Sequence, residues 1–219
     1  MDDRSRIPAK LDYWQSVTGL ILGIFIIFHM IFEASILVSN ELMEQIAHFF
    51  ELRFLVDGGV PLAVSALAAF VFIVFVLHAL LAIRKFPNRY VEYEIYKKHS
   101  DAMKHGDTTL WLTQVTTGFI MFFAGSIHIY VVMMNPDSIG PIMSANRMTD
   151  EMFAPLYIIL LISVILHAFA GLYRLAVKWI PMAKETRQNL IQIRNMATVV
   201  FILLGLASIF RYIQIGLQN

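Results

Sequence analysis

The sequence predicts an all-α membrane protein: five transmembrane helices in one bundle, with 1–219 forming a single domain. Three observations predict it. The chain is 58% hydrophobic and 15% charged, with mean hydropathy +0.66, too little charge to cover a soluble domain of this size. Five stretches, about 13–39, 59–85, 109–134, 153–179 and 190–215, each exceed the roughly 20 apolar residues that span a bilayer core. All but three of the seventeen lysines and arginines fall in alternate aqueous segments, leaving Arg53, Arg147 and Arg211 in the others.

The first span follows a charged, proline-containing segment, Met1 to Asp12, and has no small-residue cleavage site, so it reads as a permanent helix. The 40–57 segment contains an amphipathic run, Glu41 to Phe50, suited to lie along the outer interface. Asp57-Gly58-Gly59-Val60-Pro61 is a turn leading into span two, with proline suited to a first helical turn. Phe86-Pro87 stops span two, and Asp107 with Thr108 and Thr109 caps span three. Asn135-Pro136 and Ile180-Pro181 stop spans three and four. Tyr90, Tyr93 and Tyr96, three apart among charges, read as an interfacial aromatic belt, or more specifically as a docking surface for a soluble partner. No fixed-period repeat is evident. The basic asymmetry places the N-terminus and the 84–108 and 174–194 loops in the cytoplasm and the C-terminus outside.

The chain has no cysteine, which excludes disulfides, Cys-ligated iron–sulfur clusters and covalent c-type haem within it. Of its seven histidines, His48, His99 and His105 fall in aqueous loops. His29, His78, His128 and His167 fall one each in spans one to four, where ionisable residues are expensive and usually functional. At 1.5 Å per residue, His29 and His128 lie roughly 24 and 28 Å from the cytoplasmic ends of their outward-running spans. His78 and His167, shortly before Arg84 and Arg174 on inward-running spans, lie roughly 10 Å from that side. Two deep and two shallow imidazoles predict two bis-histidine b-type haems enclosed by the bundle, His78 with His167 and His29 with His128, separated by roughly 15 Å along the normal.

Glycines at 19, 23, 118, 125 and 171 would let haem or a neighbouring helix approach. Ser163, one turn before His167, is placed to accept its second N–H, although a backbone carbonyl would serve as well. Gln15, Ser16, Trp111, Arg84, Arg174 and Lys178 lie at the cytoplasmic margin as candidate propionate contacts. With no other cofactor signal, two haems imply electron transfer with a lipid-soluble quinone. Glu51, and Glu33 one turn past His29, are candidate acceptors for the protons that quinol oxidation releases.

Specific segments carry a family resemblance: Arg6-Ile7-Pro8-Ala9-Lys10-Leu11-Asp12-Tyr13-Trp14-Gln15-Ser16, Leu67 to Phe75 continuing to His78 and Arg84-Lys85-Phe86-Pro87, and His105-Gly106-Asp107-Thr108-Thr109-Leu110-Trp111. Thr117-Gly118-Phe119, Gly125-Ser126 with His128, and Gly171-Leu172-Tyr173-Arg174-Leu175-Ala176-Val177-Lys178-Trp179 complete them. They resemble the dihaem cytochrome b membrane anchor of bacterial menaquinol:fumarate reductases, in the succinate:quinone oxidoreductase superfamily. The resemblance implies the same histidine pairing, proximal propionate contacts from Gln15, Ser16, Trp111 and Lys178, and a carboxylate at Glu51 near the menaquinol site. It implies a FAD-containing flavoprotein and an iron–sulfur subunit as cytoplasmic partners in a bacterial cytoplasmic membrane, fumarate chemistry on those subunits, and no nucleic acid. One departure stands out: where the family carries a glutamate for transmembrane proton transfer, two residues before the fourth histidine, this chain has Ile165. Three alternatives stay open: the same anchor in a succinate:menaquinone reductase, the haem b subunit of a membrane-bound hydrogenase or formate dehydrogenase, and a transporter or anchor without haem.

Overall fold

The computed structural model describes residues 6–85, 89–103 and 106–218; within them, the side chains of 96, 99–103 and 106–108 are not described. The expected stop at Phe86-Pro87 and His105 therefore fall outside what is described, as do the side chains of Tyr96, His99, Asp107 and Thr108; the backbone of Asp107, the expected cap of span three, already lies within α5. The fold is all-α, and no strand occurs among the described residues. Helices run α1 Ile7–Glu33, α2 Asn40–Phe50, α3 Leu62–Ile83, α4 Tyr90–Met103, α5 Gly106–Met134, α6 Pro141–Thr149, α7 Ala154–Trp179 and α8 Lys184–Gly216. Five are long and apolar enough to cross a membrane: α1 with its 3-10 extension to Leu37, α3, α5 from Thr109, α7 and α8.

The boundaries have local causes. α1 begins at Ile7, six residues before the expected start, because Pro8 fits a first helical turn. It tightens into a 3-10 turn at Ala34–Leu37, and Ser39 then caps α2 by accepting the Leu42 amide at 3.0 Å. Gly58 and Gly59 take the positive φ values, +84° and +77°, of the turn ahead of α3. α8 starts at Lys184, also six residues earlier than expected. Its polar first turns are held by Tyr173, whose hydroxyl accepts from Arg187 Nε at 3.1 Å and whose ring lies 5.0 Å beneath Arg194. The segments read as loops contain helices of their own: α4 at the basic end, α2 and α6 at the far end.

α1 packs on α3 and α7, and α5 packs on the same two helices. These four close a ring in which α1 faces α5 and α3 faces α7 across two diagonals. α8 lies outside the ring against α7. Lipid offers apolar groups no reason to leave it, so the bundle holds by close packing. Met30, Leu161, Val164, Ile165 and Phe169 form one buried cluster between α1, α7 and α8. Gly205 on α8 admits it, since a Cβ there would lie 2.8 Å from Met30 Cε. A second cluster of Ile36, Met43, Ala145, Tyr212 and Ile215 ties α2, α6 and α8 together at the far end.

Candidate functional site

The ring brings the four span histidines together as two pairs, one on each diagonal. His78 of α3 faces His167 of α7 with ring centroids 6.4 Å apart, and His29 of α1 faces His128 of α5 at 6.0 Å. Thr18 of α1 and Thr117 of α5 touch the first pair. The second pair lies eleven residues further along those same helices, or roughly 16 Å. The diagonals thus cross at two heights. We call the pair nearer the basic end inner and the other outer.

The spacing is chemically specific. Metal–imidazole bonds of about 2 Å on opposite sides of one ion, plus roughly 1 Å from each nitrogen to its ring centre, separate two centroids by about 6 Å. Both pairs fit that sandwich. Among the described residues no group of three or more His, Cys, Asp or Glu gathers to hold a metal ion. An ion held by either pair would find no third His, Cys, Asp or Glu ligand among the described residues.

The inner imidazoles are well provided with acceptors. His167 Nδ1 lies 3.0 Å from the Gln114 carbonyl and 3.3 Å from Thr117 Oγ1. His78 Nδ1 lies 3.1 Å from Thr18 Oγ1. A carbonyl can only accept, so Nδ1 of His167 carries the proton and Nε2 keeps its lone pair for a metal. Of the two acceptors expected for His167, Ser163 or a backbone carbonyl, α5 supplies the carbonyl, that of Gln114, and adds the Thr117 hydroxyl.

At the basic end Asp12 gathers three cations: Arg84, Lys85 at 3.0 Å and Lys178 at 3.2 Å. Partial burial, with Lys178 and Arg84 adding like charge, holds the Lys85 ammonium below its ordinary value despite Asp12. Ser16 Oγ accepts from Trp179 Nε1 at 2.9 Å, and Arg174 donates to the Gln114 side chain. Gln15 Oε1 is buried without a hydrogen-bond partner among the described residues. Trp111 is half-buried near the start of α5. Of the expected propionate contacts, Ser16, Lys178 and Arg84 meet around Asp12, while Arg174 pairs with Gln114.

At the far end Glu51 closes α2 and is 4% exposed, so its carboxylate is not a solvated surface group. It accepts from Arg53 Nε at 2.6 Å, and the chain curls back so that the Val60 amide reaches its carbonyl. Leu52, the next residue, is held at φ +59°. Beside Arg53 a cleft of about 260 Å³ is lined by Gln45, His48, Phe49 and Phe54. Phe50 of α2 packs edge-on against Phe32, the neighbour of Glu33. Glu33 itself accepts from the Tyr212 hydroxyl at 3.1 Å.

Two features went unseen in the sequence. Arg147 of α6 is 6% exposed, donates to Ser138 and lies against the Tyr157 hydroxyl, with no carboxylate partner among the described residues. Tyr157 in turn meets the His128 ring edge-on at 5.3 Å. His128 Nδ1 is buried without a hydrogen-bond partner among the described residues. In sequence Arg147 is one of three scattered outer basic residues, with nothing to mark it as buried. The other unseen feature is Asp12, whose role depends on three helices meeting.

The fold and site define a five-span membrane protein with two imidazole pairs stacked along its axis. Residues 91–205 match the model of the succinate dehydrogenase/fumarate reductase transmembrane subunit. The chain is 50% identical, over 99% of its length and 86% of the relative's, to the fumarate reductase cytochrome b subunit of Wolinella succinogenes. It is 48% and 47% identical to the subunits of the same name from two strains of Helicobacter pylori, over 99% of its length and 85% of theirs. The chain belongs to this family of transmembrane subunits.

Proposed function

We propose that this chain anchors a fumarate reductase complex in a bacterial cytoplasmic membrane, oxidises menaquinol and conducts the electrons to cytoplasmic iron–sulfur and flavin subunits. The observation that carries the reading is the pair of imidazole sandwiches at about 6 Å, stacked across the membrane in a chain half identical to a cytochrome b subunit. Two bound b-type haems supply a one-electron carrier at each level. The basic end, with Asp12 and its cations, faces the cytoplasm under the positive-inside rule.

His78 and His167 present Nε2 to the inner iron, and His29 and His128 serve the outer one. Gln15, with its orphaned amide oxygen, and Ser16, Lys178, Arg84, Arg174 and Trp111 form the inner propionate surround. An amide can be turned to donate, and Lys178 can shift from Asp12 to a propionate. At the outer level Arg147 is the buried cation that a carboxylate of the haem would neutralise. Glu51 accepts a proton from menaquinol near the Phe49–Phe54 cleft, and Glu33 assists from the end of α1. Ile165, fully buried among apolar side chains, gives its position no group that could carry a proton along α7.

The test is a reduced-minus-oxidised spectrum of the purified complex with haem counted per chain. Two b-type haems per chain, reduced by a menaquinol analogue, are expected. No b-type band would overturn the reading.

A further inference from the structure

α1 and α5 carry the same pattern in the same register: Gln15-x2-Thr18-Gly19-x9-His29 and Gln114-x2-Thr117-Gly118-x9-His128. Each copy does two jobs. Its histidine belongs to the outer pair, and its Thr-Gly step receives an inner histidine from a neighbouring helix. Thr18 Oγ1 lies 3.1 Å from His78 Nδ1, and a Cβ on Gly19 would lie 2.9 Å from His78 Cε1. Thr117 Oγ1 lies 3.3 Å from His167 Nδ1, and a Cβ on Gly118 would lie 3.1 Å from His167 Cε1. The same ring edge is met in the same way from both sides of the bundle.

The hydroxyl protons are already committed. Thr18 Oγ1 donates to the Trp14 carbonyl at 2.8 Å, and Thr117 Oγ1 donates to the Thr113 carbonyl at 2.6 Å. Each hydroxyl can therefore only accept from the imidazole, so Nδ1 bears the hydrogen and Nε2 is left bare. The inner rings stand at 85° to each other, whereas the outer rings stand at 53°. Neither outer ring has such an anchor: Phe25 stacks on His29 at 5.5 Å, and His128 Nδ1 has no partner among the described residues.

We infer that Thr18 and Thr117 are positioning residues of the inner haem: with the Gln114 carbonyl, which shares Nδ1 of His167 with Thr117, they hold the near-perpendicular setting of its two axial imidazoles. The inference rests on the haem reading above. An acceptor on Nδ1–H raises the donor strength of Nε2 and favours the oxidised iron. Perpendicular axial planes give a ferric low-spin centre its most anisotropic paramagnetic resonance signal, and parallel planes a less anisotropic one.

The experiment uses the whole detergent-purified complex carrying Thr18→Val, Thr117→Val or both, beside the Thr→Ser variants. Valine keeps the methyl group and removes the hydroxyl acceptor, leaving His167 only the Gln114 carbonyl; serine keeps the hydroxyl and removes the methyl. A His29→Ala complex, in which the inner haem stands alone, assigns the signals. With valine, the inner haem's signal is expected to lose anisotropy and its midpoint potential to rise, while the outer haem stays unchanged. Serine is expected to restore both. Valine variants with two haems, the wild-type signal and the wild-type potential would overturn the inference. So would serine variants as perturbed as the valine ones. Loss of the inner haem with valine supports it if serine restores binding and overturns it if serine does not. A wild-type complex without haem would instead remove the haem reading itself.

Discussion

At the inner level each imidazole meets a threonine oxygen from a neighbouring helix; at the outer level His128 Nδ1 meets no acceptor among the described residues. The inner level lies within the ring of α1, α3, α5 and α7, toward the cations gathered by Asp12. The outer level lies beside α2 and α6, short helices whose buried charges, Glu51 and Arg147, sit close to turns. The difference teaches where each kind of work belongs. A surround that hydrogen-bonds both imidazoles suits an electron relay, whose geometry should not change between oxidation states. A less completed surround with buried ionisable groups suits substrate chemistry, where protons must leave.

The largest test of this contrast removes the histidines singly. His78→Ala or His167→Ala is expected to abolish the inner haem alone, and His29→Ala or His128→Ala the outer haem alone, halving haem per chain in each case. Difference spectra and haem counts check it. One residual haem common to all four variants would contradict the two-level arrangement.

Glu51→Gln comes next. It keeps size and an acceptor for Arg53 but removes the base, so menaquinol oxidation is expected to fall by about 10²-fold or more while both haems remain. Arg147→Gln should act only at the outer level. It removes the buried cation that would face a haem carboxylate, so the outer haem's midpoint potential should fall or its occupancy drop, with the inner haem unmoved.

Glycine substitutions separate the levels by packing. Gly118→Ala drives a Cβ to 3.1 Å from the His167 ring and is expected to lower inner haem occupancy, at about 1 to 3 kcal/mol for overpacking. Gly125→Ala, on the same helix, meets nothing nearer than 3.7 Å and is expected to be silent. Equal losses from both would mean that helix propensity, not contact with the imidazole, governs the effect.

Much of this organisation was legible because a membrane makes depth readable: spans have known rise, so histidine positions sort by height without knowledge of rotation. What requires rotation and neighbour choice was not legible. Ser163 was as plausible an acceptor as any until α5 brought the Gln114 carbonyl to His167. Thr18 and Thr117 are ordinary in sequence, and two copies of a four-residue pattern 99 positions apart make a weak signal until both touch a histidine. Asp12 and Arg147 acquire meaning only where three helices converge or where a loop helix folds inward. Glu51 looked like an interfacial carboxylate by composition, and its burial comes from the turn that follows α2.

The smallest expected effect on menaquinol oxidation belongs to Glu33, and it sharpens how far the outer level extends as a proton-handling region. Glu33 Oε2 accepts the Tyr212 hydroxyl at 3.1 Å. Glutamine at this position still offers an oxygen to Tyr212, so the far-end cluster of Ile36, Met43, Ala145 and Tyr212 should keep its packing and thermal stability. Only the capacity to take up a proton is lost. Glu33→Gln is therefore expected to slow menaquinol oxidation severalfold, well short of the 10²-fold scale of a primary base, with haem content unchanged. Tyr212→Phe provides the complement, removing the donor while leaving the carboxylate. If Glu33→Gln oxidises menaquinol at the wild-type rate, proton handling is confined to Glu51, and the Glu33–Tyr212 contact is a structural tie between α1 and α8.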